Sequence, residues 1–110
     1  MIIYHIVFQK DWDKAQEEGI YSPDSIEQVG FIHCSTKEQV LPTANRRFSG
    51  RKDLLLLVIN PNKVKAKIIF EDLNNLGEKH PHIYGQLPLE SVEEVLKLEL
   101  NENGRFKKFS

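Results

Sequence analysis

The chain has 110 residues, enough for one domain and too few for two. Its composition, 40% hydrophobic and 28% charged, is that of an ordinary globular protein with one modest core. The 15 Lys and Arg nearly balance the 16 Asp and Glu, for a net charge of −1, which argues against non-specific binding to nucleic acid or to an anionic membrane.

A single cysteine, Cys34, allows no internal disulfide and fits a reducing compartment. The opening "MIIYHIVFQKDW" lacks a basic segment, and His5 interrupts its apolar run, so it does not read as a signal peptide. The longest apolar run, "LLLLVI", is far short of the ~20 residues of a membrane helix. A cytoplasmic protein with no membrane partner is expected.

In chain order, "MIIYHIVF" reads as a strand with Ile3, His5 and Val7 on one face and Ile2, Tyr4 and Ile6 on the other. "DWDKAQEEG" reads as a short helix, capped by Asp11 and ended by Gly19, with Trp12, Ala15 and Gln16 on one face. "IYSPDSIEQVG" is loop with one possible helical turn. "FIH" is a short strand, and Ser35 with Glu38 makes a capping-box pattern that starts a helix. Val40, Leu41, Ala44 and Phe48 would be its core face, and Pro42 should kink or divide it.

"LLLLVIN" is apolar on both faces and reads as a central strand covered on both sides. "VKAKIIF" alternates as a strand with one wet face. "EDLNNLGEKHPH" reads as a loop, "IYG" as a short strand and "PLESVEEV" as a helical turn. Leu96, Leu98 and Leu100 mark a last long strand, and "RFKKF" returns as an edge. The total is about five to seven short strands and two or three helices without a βαβ rhythm, which makes an α+β fold with a mixed or largely antiparallel sheet.

Polar chemistry gathers on "GFIHCST" (residues 30–36) and "HPHIYG" (residues 80–85). Strand alternation puts Phe31, His33 and Ser35 on one face and Ile32 and Cys34 on the other. Cys34 and His33 therefore point apart, against a thiol–imidazole nucleophile pair. Two histidines in apolar strands, His5 and His33, are either hydrogen-bonded core residues or the lining of a shared cleft. His82 and Tyr84 share a face, with Gly85 leaving room beside them. Glu71 and Asp72 end a strand and are solvated acids, unless they stand at a cleft mouth where one stabilises developing positive charge. Asn45, Arg46 and Arg47 lie on the kinked helix. Arginine suits phosphate, and a helix that begins at Ser35 offers free amides to an anion. No Cys or His spacing is that of a known zinc motif, so no metal is expected.

"YHI", "GFIHCST", "QVLPTANRRF", "LLLLVINP", "IFED" and "PHIYG" followed by "ESV" resemble, in order and over essentially the whole chain, a bacterial family known as domain of unknown function 952. That family is similar in fold to ADP-ribosyltransferases, most closely the RNA 2′-phosphotransferase branch, through Tyr4 and His5 in "YHIV" and His33 and Ser35 in "FIHCS". The resemblance implies a split, mostly antiparallel sheet that grips NAD. His5 would hold a ribose hydroxyl, His33 the pyrophosphate or ribose, and Arg46 or Arg47 a phosphate. Tyr84 or Trp12 would stack on nicotinamide, an assignment outside the matched motifs.

His5, His33 and Glu71 are thus the candidate catalytic residues. Tyr4, Trp12, Ser35, Thr36, Asn45, Arg46, His82 and Tyr84 are the candidate ligand-binding ones. Ile6 and Val7 stand where the transferases have Gly-Thr. Three functions fit: an NAD-dependent transferase of ADP-ribose, a non-catalytic module for a nucleotide or peptide, and a structural or protein-interaction domain.

Overall fold

The structure, a computed structural model, describes residues 1–109. Strand β1 (Ile3–Phe8) runs directly into helix α1 (Gln9–Glu18). The helix stops at Gly19, whose φ of 79° is a left-handed conformation that a side chain resists. Phe8, and not Asp11, is the N-cap residue. Asp11 lies in the first turn, where its charge still complements the helix dipole. Trp12 and Ala15 are buried, while Gln16 is exposed. In the stretch read as loop with one helical turn, helix α2 (Ser25–Val29) is that turn, and strand β2 (Ile20–Tyr21) precedes it.

Strand β3 (Ile32–His33) leads to helix α3 (Lys37–Arg47). The capping box forms on Thr36 and Gln39, one residue later than the Ser35–Glu38 pattern predicts. The backbone of Ser35 is already committed, because its N–H and C=O both bond to Tyr4 in an extended conformation. The helix can begin only after it. It then continues through Pro42 as one element, so the expected division does not occur.

Strand β4 (Leu54–Ile59) is the doubly covered strand that its composition predicts. Leu55, Leu57 and Ile59 join a core cluster with Ile3, Val7 and Trp12. Leu54 and Leu56 join a second with Val40, Ala44 and Phe106. The chain continues through a 3₁₀ turn (Pro61–Lys63), β5 (Lys67–Glu71), β6 (His80–Tyr84), β7 (Leu87–Pro88), a 3₁₀ turn (Leu89–Ser91), β8 (Val92–Leu100) and β9 (Phe106–Phe109).

The strands make three sheets of order β1-β4-β8-β9, β3-β6-β5 and β2-β7, and every pairing is antiparallel. The fold is α+β. Strand β6 starts at His80, earlier than expected, although it contains Pro81. Proline has no N–H to give a ladder. The Pro81 carbonyl accepts the Cys34 N–H at 2.9 Å, but no bond can return, and β3 ends at His33. At Gly85 a Cβ would lie 2.8 Å from the Ala66 Cβ, so glycine there permits the chain to approach the segment before β5. No helix among the described residues is long and apolar enough to cross a membrane.

Asn45 bridges α3 and β9. Its Nδ2 donates to the Phe106 carbonyl at 2.9 Å and its Oδ1 accepts the Phe106 N–H at 2.8 Å. Asn45→Ala is expected to cost about 1–3 kcal/mol, read by urea unfolding, because it leaves a backbone pair without partners.

Candidate functional site

The two larger sheets meet through Ser35. It exchanges two backbone hydrogen bonds with Tyr4, at 2.8 and 2.7 Å, and so holds β3 against β1. This brings His5 on β1 to His33 on β3. His5 Nδ1 lies 2.6 Å from the His33 carbonyl oxygen, and Nε2 lies 2.8 Å from the Tyr21 hydroxyl. A carbonyl only accepts, so His5 carries its proton on Nδ1. Its Nε2 then accepts from Tyr21. Burial lowers the His5 pKa to about 4, against the pull of the His33 carbonyl and with help from the Arg47 charge, so the ring is neutral.

A second chain of bonds fixes His33. At the end of β5, the Glu71 carboxylate accepts from the Tyr84 hydroxyl and, at 2.8 Å, from His82 Nδ1. These two donors, Tyr84 first, hold the Glu71 carboxyl below the usual range, and Glu71 in turn pushes the Tyr84 phenol up. Phe31 stacks on the His82 ring, with centroids 4.0 Å apart and planes at 17°, and fixes its orientation. The carboxylate can only accept, so His82 places a proton on Nδ1, and in that tautomer its Nε2 is an acceptor. His33 Nδ1 lies 3.2 Å away and donates to it. The proton of His33 is thereby held on Nδ1, and Nε2 is left as a bare lone pair.

His33 Nε2 is buried and has no hydrogen-bond partner among the described residues. Desolvation, then the charge of Arg47, then the histidines His80, His82 and His5 lower the His33 pKa to about 3. The neutral base is the resting state.

His33 and Arg47, with Asn74, line two neighbouring chambers. One, about 370 Å³, is largely apolar, with Ile6, Val7, Phe8, Phe31 and Phe48 in its wall. The buried Thr43 hydroxyl lines it too and, like His33 Nε2, has no partner among the described residues. The other, about 260 Å³, is polar and presents Arg46, Arg47, His80 and His82 with Glu71 and Asp72.

Both carboxylates of the polar chamber are engaged by the protein. Glu71 holds His82 and Tyr84, while Asp72 accepts the N–H groups of Leu76 and Gly77 at 2.8 and 2.9 Å. Arg46 and Arg47 form no ion pair among the described residues. The chamber therefore offers two guanidinium groups to a ligand.

Of the residues predicted from sequence, His5, His33, Glu71, His82, Ser35 and Arg46 line the cleft. Tyr84 acts on it through Glu71. Four belong elsewhere. Tyr4 packs against Phe109, with ring centroids 6.0 Å apart, because alternation turns it to the opposite face from His5. Trp12 is buried in the core, away from any stacking partner in the cleft. Thr36 caps α3, and Asn45 ties α3 to β9. Cys34 is a core thiol whose pKa burial pushes up. Among the described residues no group of three His, Cys, Asp or Glu is arranged to hold a metal ion. Tyr21 and Thr43 carry no sequence signal, since only the packing of β2 and α3 against β1 aims them inward. Phe31 is legible, as it shares a face with His33.

An α+β chain with a histidine-lined cleft at the seam of two antiparallel sheets is the class that these elements define. Residues 6–95 match the family described as "Protein of unknown function (DUF952)", and the chain belongs to that family. It is similar to the crystal structure of protein CC0527 from Caulobacter crescentus, at 29% identity and a TM-score of 0.84, over 97% of this chain and 94% of that one. The solution NMR structure of CC0527 superposes with a TM-score of 0.76, over 96% and 91% of the two chains. No curated protein matches the sequence.

The depressed histidine pKa values fix the acid response. An unfolded histidine takes up its proton near pH 6.5, whereas His5 and His33 in the folded protein wait until about 4 and about 3. Unfolding thus binds roughly two extra protons between those values, and stability falls as pH drops from about 6.5 towards 4. Urea unfolding across that range should show the loss, and His33→Gln should remove about one proton from its slope. Arg47→Ala is expected to raise the His33 pKa, read from imidazole NMR shifts.

Proposed function

We propose that this cleft binds a nucleotide, NAD or a related compound, and holds it without turnover. The planar base or nicotinamide enters the apolar chamber, and the phosphates lie against Arg46 and Arg47. Both chambers fall near the size range of small-molecule sites, roughly 300–1,000 Å³, with an apolar wall and a few convergent polar groups. The observation that carries the reading is the pair of arginines without a carboxylate partner, next to an unpartnered His33 Nε2. Buried polar atoms are nearly always satisfied, so an exception lining a cleft points to a ligand.

Transfer of ADP-ribose is the enzymatic form of the same reading. It needs a carboxylate to face the positive charge that develops as nicotinamide leaves. Glu71 is the candidate, but its carboxylate already accepts from His82 and Tyr84. Ile6 and Val7 line the apolar chamber where the transferases place Gly-Thr, and their β-branched side chains crowd a nicotinamide amide. Both points favour a binder over a transferase.

Titration of isotope-labelled protein with NAD, with free nicotinamide followed in the same tube, tests this. Amides around His5, His33 and Arg47 should move together and saturate, and Arg46→Ala or Arg47→Ala should weaken binding about tenfold. Accumulating nicotinamide would make the protein an enzyme. A spectrum unmoved at millimolar NAD would remove the nucleotide reading.

A further inference from the structure

We propose that Arg46, Arg47 and His33 form a proton-coupled oxyanion site, in which a phosphate-type dianion binds together with one proton on His33 Nε2. This deepens the nucleotide reading and rests on it, since the anion is the part of the ligand that the polar chamber would receive. The argument begins with hydrogen-bond direction. Glu71 fixes the proton of His82 on Nδ1, His82 Nε2 fixes that of His33 on Nδ1, and His33 Nε2 is left with a lone pair. A dianion in the adjoining chamber would set oxygen lone pairs against it. The two become compatible when a proton lies between them.

Protonation also completes the network. His33 Nε2–H would donate to the anion, His33 Nδ1–H to His82 Nε2, and His82 Nδ1–H to the Glu71 carboxylate, so that every N–H in the chain has an acceptor. The charge gained on His33 is offset at one end by the anion and at the other by Glu71.

The groups facing His33 explain why the proton waits for the ligand. Arg46 and Arg47 come from α3, His80 and His82 from β6, and His5 from β1. All are cationic or can become so, and among these charges the Arg47 guanidinium opposes protonation most. The carboxylates on this side are diverted. Asp72 caps the amides of Leu76 and Gly77, and the half-exposed Glu78 lies on the far side of His80, 3.8 Å from its Nε2 and outside the chamber lining. An anion on the arginines neutralises the repulsion that keeps His33 neutral, so anion and proton each strengthen the binding of the other.

Sulfate is the probe, because it is a dianion with no proton of its own to give near neutral pH. Calorimetric titration of the intact chain in buffers of different ionisation enthalpy counts the protons. About one proton should be taken up per sulfate, and affinity should rise up to tenfold per unit fall in pH between 8 and 6. His33→Gln should bind sulfate with no proton uptake. Glu71→Gln, with its amide spectrum checked for an intact fold, should bind several-fold more weakly and take up less than a full proton. Sulfate binding with no proton uptake by the unmodified protein would overturn this proposal and leave the nucleotide reading standing. Proton uptake unchanged in His33→Gln would overturn it equally. A failure to bind sulfate or phosphate at any pH would overturn both.

Discussion

The four residues Ile32–Ser35 pair with two sheets at once. Ile32 and His33 ladder with β6, Cys34 gives one bond to Pro81, and Ser35 then exchanges two bonds with Tyr4 on β1. A strand that stayed with β6 would leave the sheets unjoined. Pro81 prevents this, since it cannot supply the N–H for the next rung. The crossing point is therefore written as a missing donor, and the cleft follows from it. His5 on β1 and His33 on β3 lie on either side of this seam and both line the cleft.

Alternation along this segment separates structure from chemistry. Ile32 and Cys34 turn into the core with Ile3, Val7 and Ile83, and that burial holds the segment in place. Phe31, His33 and Ser35 turn to the cleft. Phe31 has a further role as the flat surface on which His82 lies. The apolar contacts thus orient a polar chain of Glu71, His82 and His33, in which each hydrogen-bond direction is forced by the one before. The forcing starts from the only member with no proton to give, the carboxylate.

How far the sequence reveals this depends on the range of the interaction involved. The doubly apolar β4, the stop at Gly19 and the core face of α3 are consequences of local pattern, and each lies where the pattern puts it. The alternation of β1 is equally local. It separates His5 from Tyr4, and Tyr4 accordingly packs against Phe109 and not in the cleft. The shifted capping box shows the limit. Ser35 and Thr36 are both good caps by composition, and the choice between them is made by a hydrogen bond to a residue 31 positions earlier. Pro81 misleads in the same way. A proline demotes a strand by its local cost, yet β6 is held on both sides by partners that tolerate the missing donor.

The sequence by itself determined the α+β class, the buried β4, the cleft-facing side of β3 and the gathering of histidines in two short segments. These follow from periodicities of two and 3.6 residues, which act within one element. Only the tertiary structure decided that His5 meets the His33 carbonyl across 28 residues, and that His33 meets His82 across 49. It also decided that Trp12 and Asn45 are structural, and that the carboxylates are engaged while Arg46 and Arg47 are left open. Those outcomes depend on which faces of different elements come together. Hydrophobic burial and strand pairing settle that jointly for the whole chain, and no single segment encodes it.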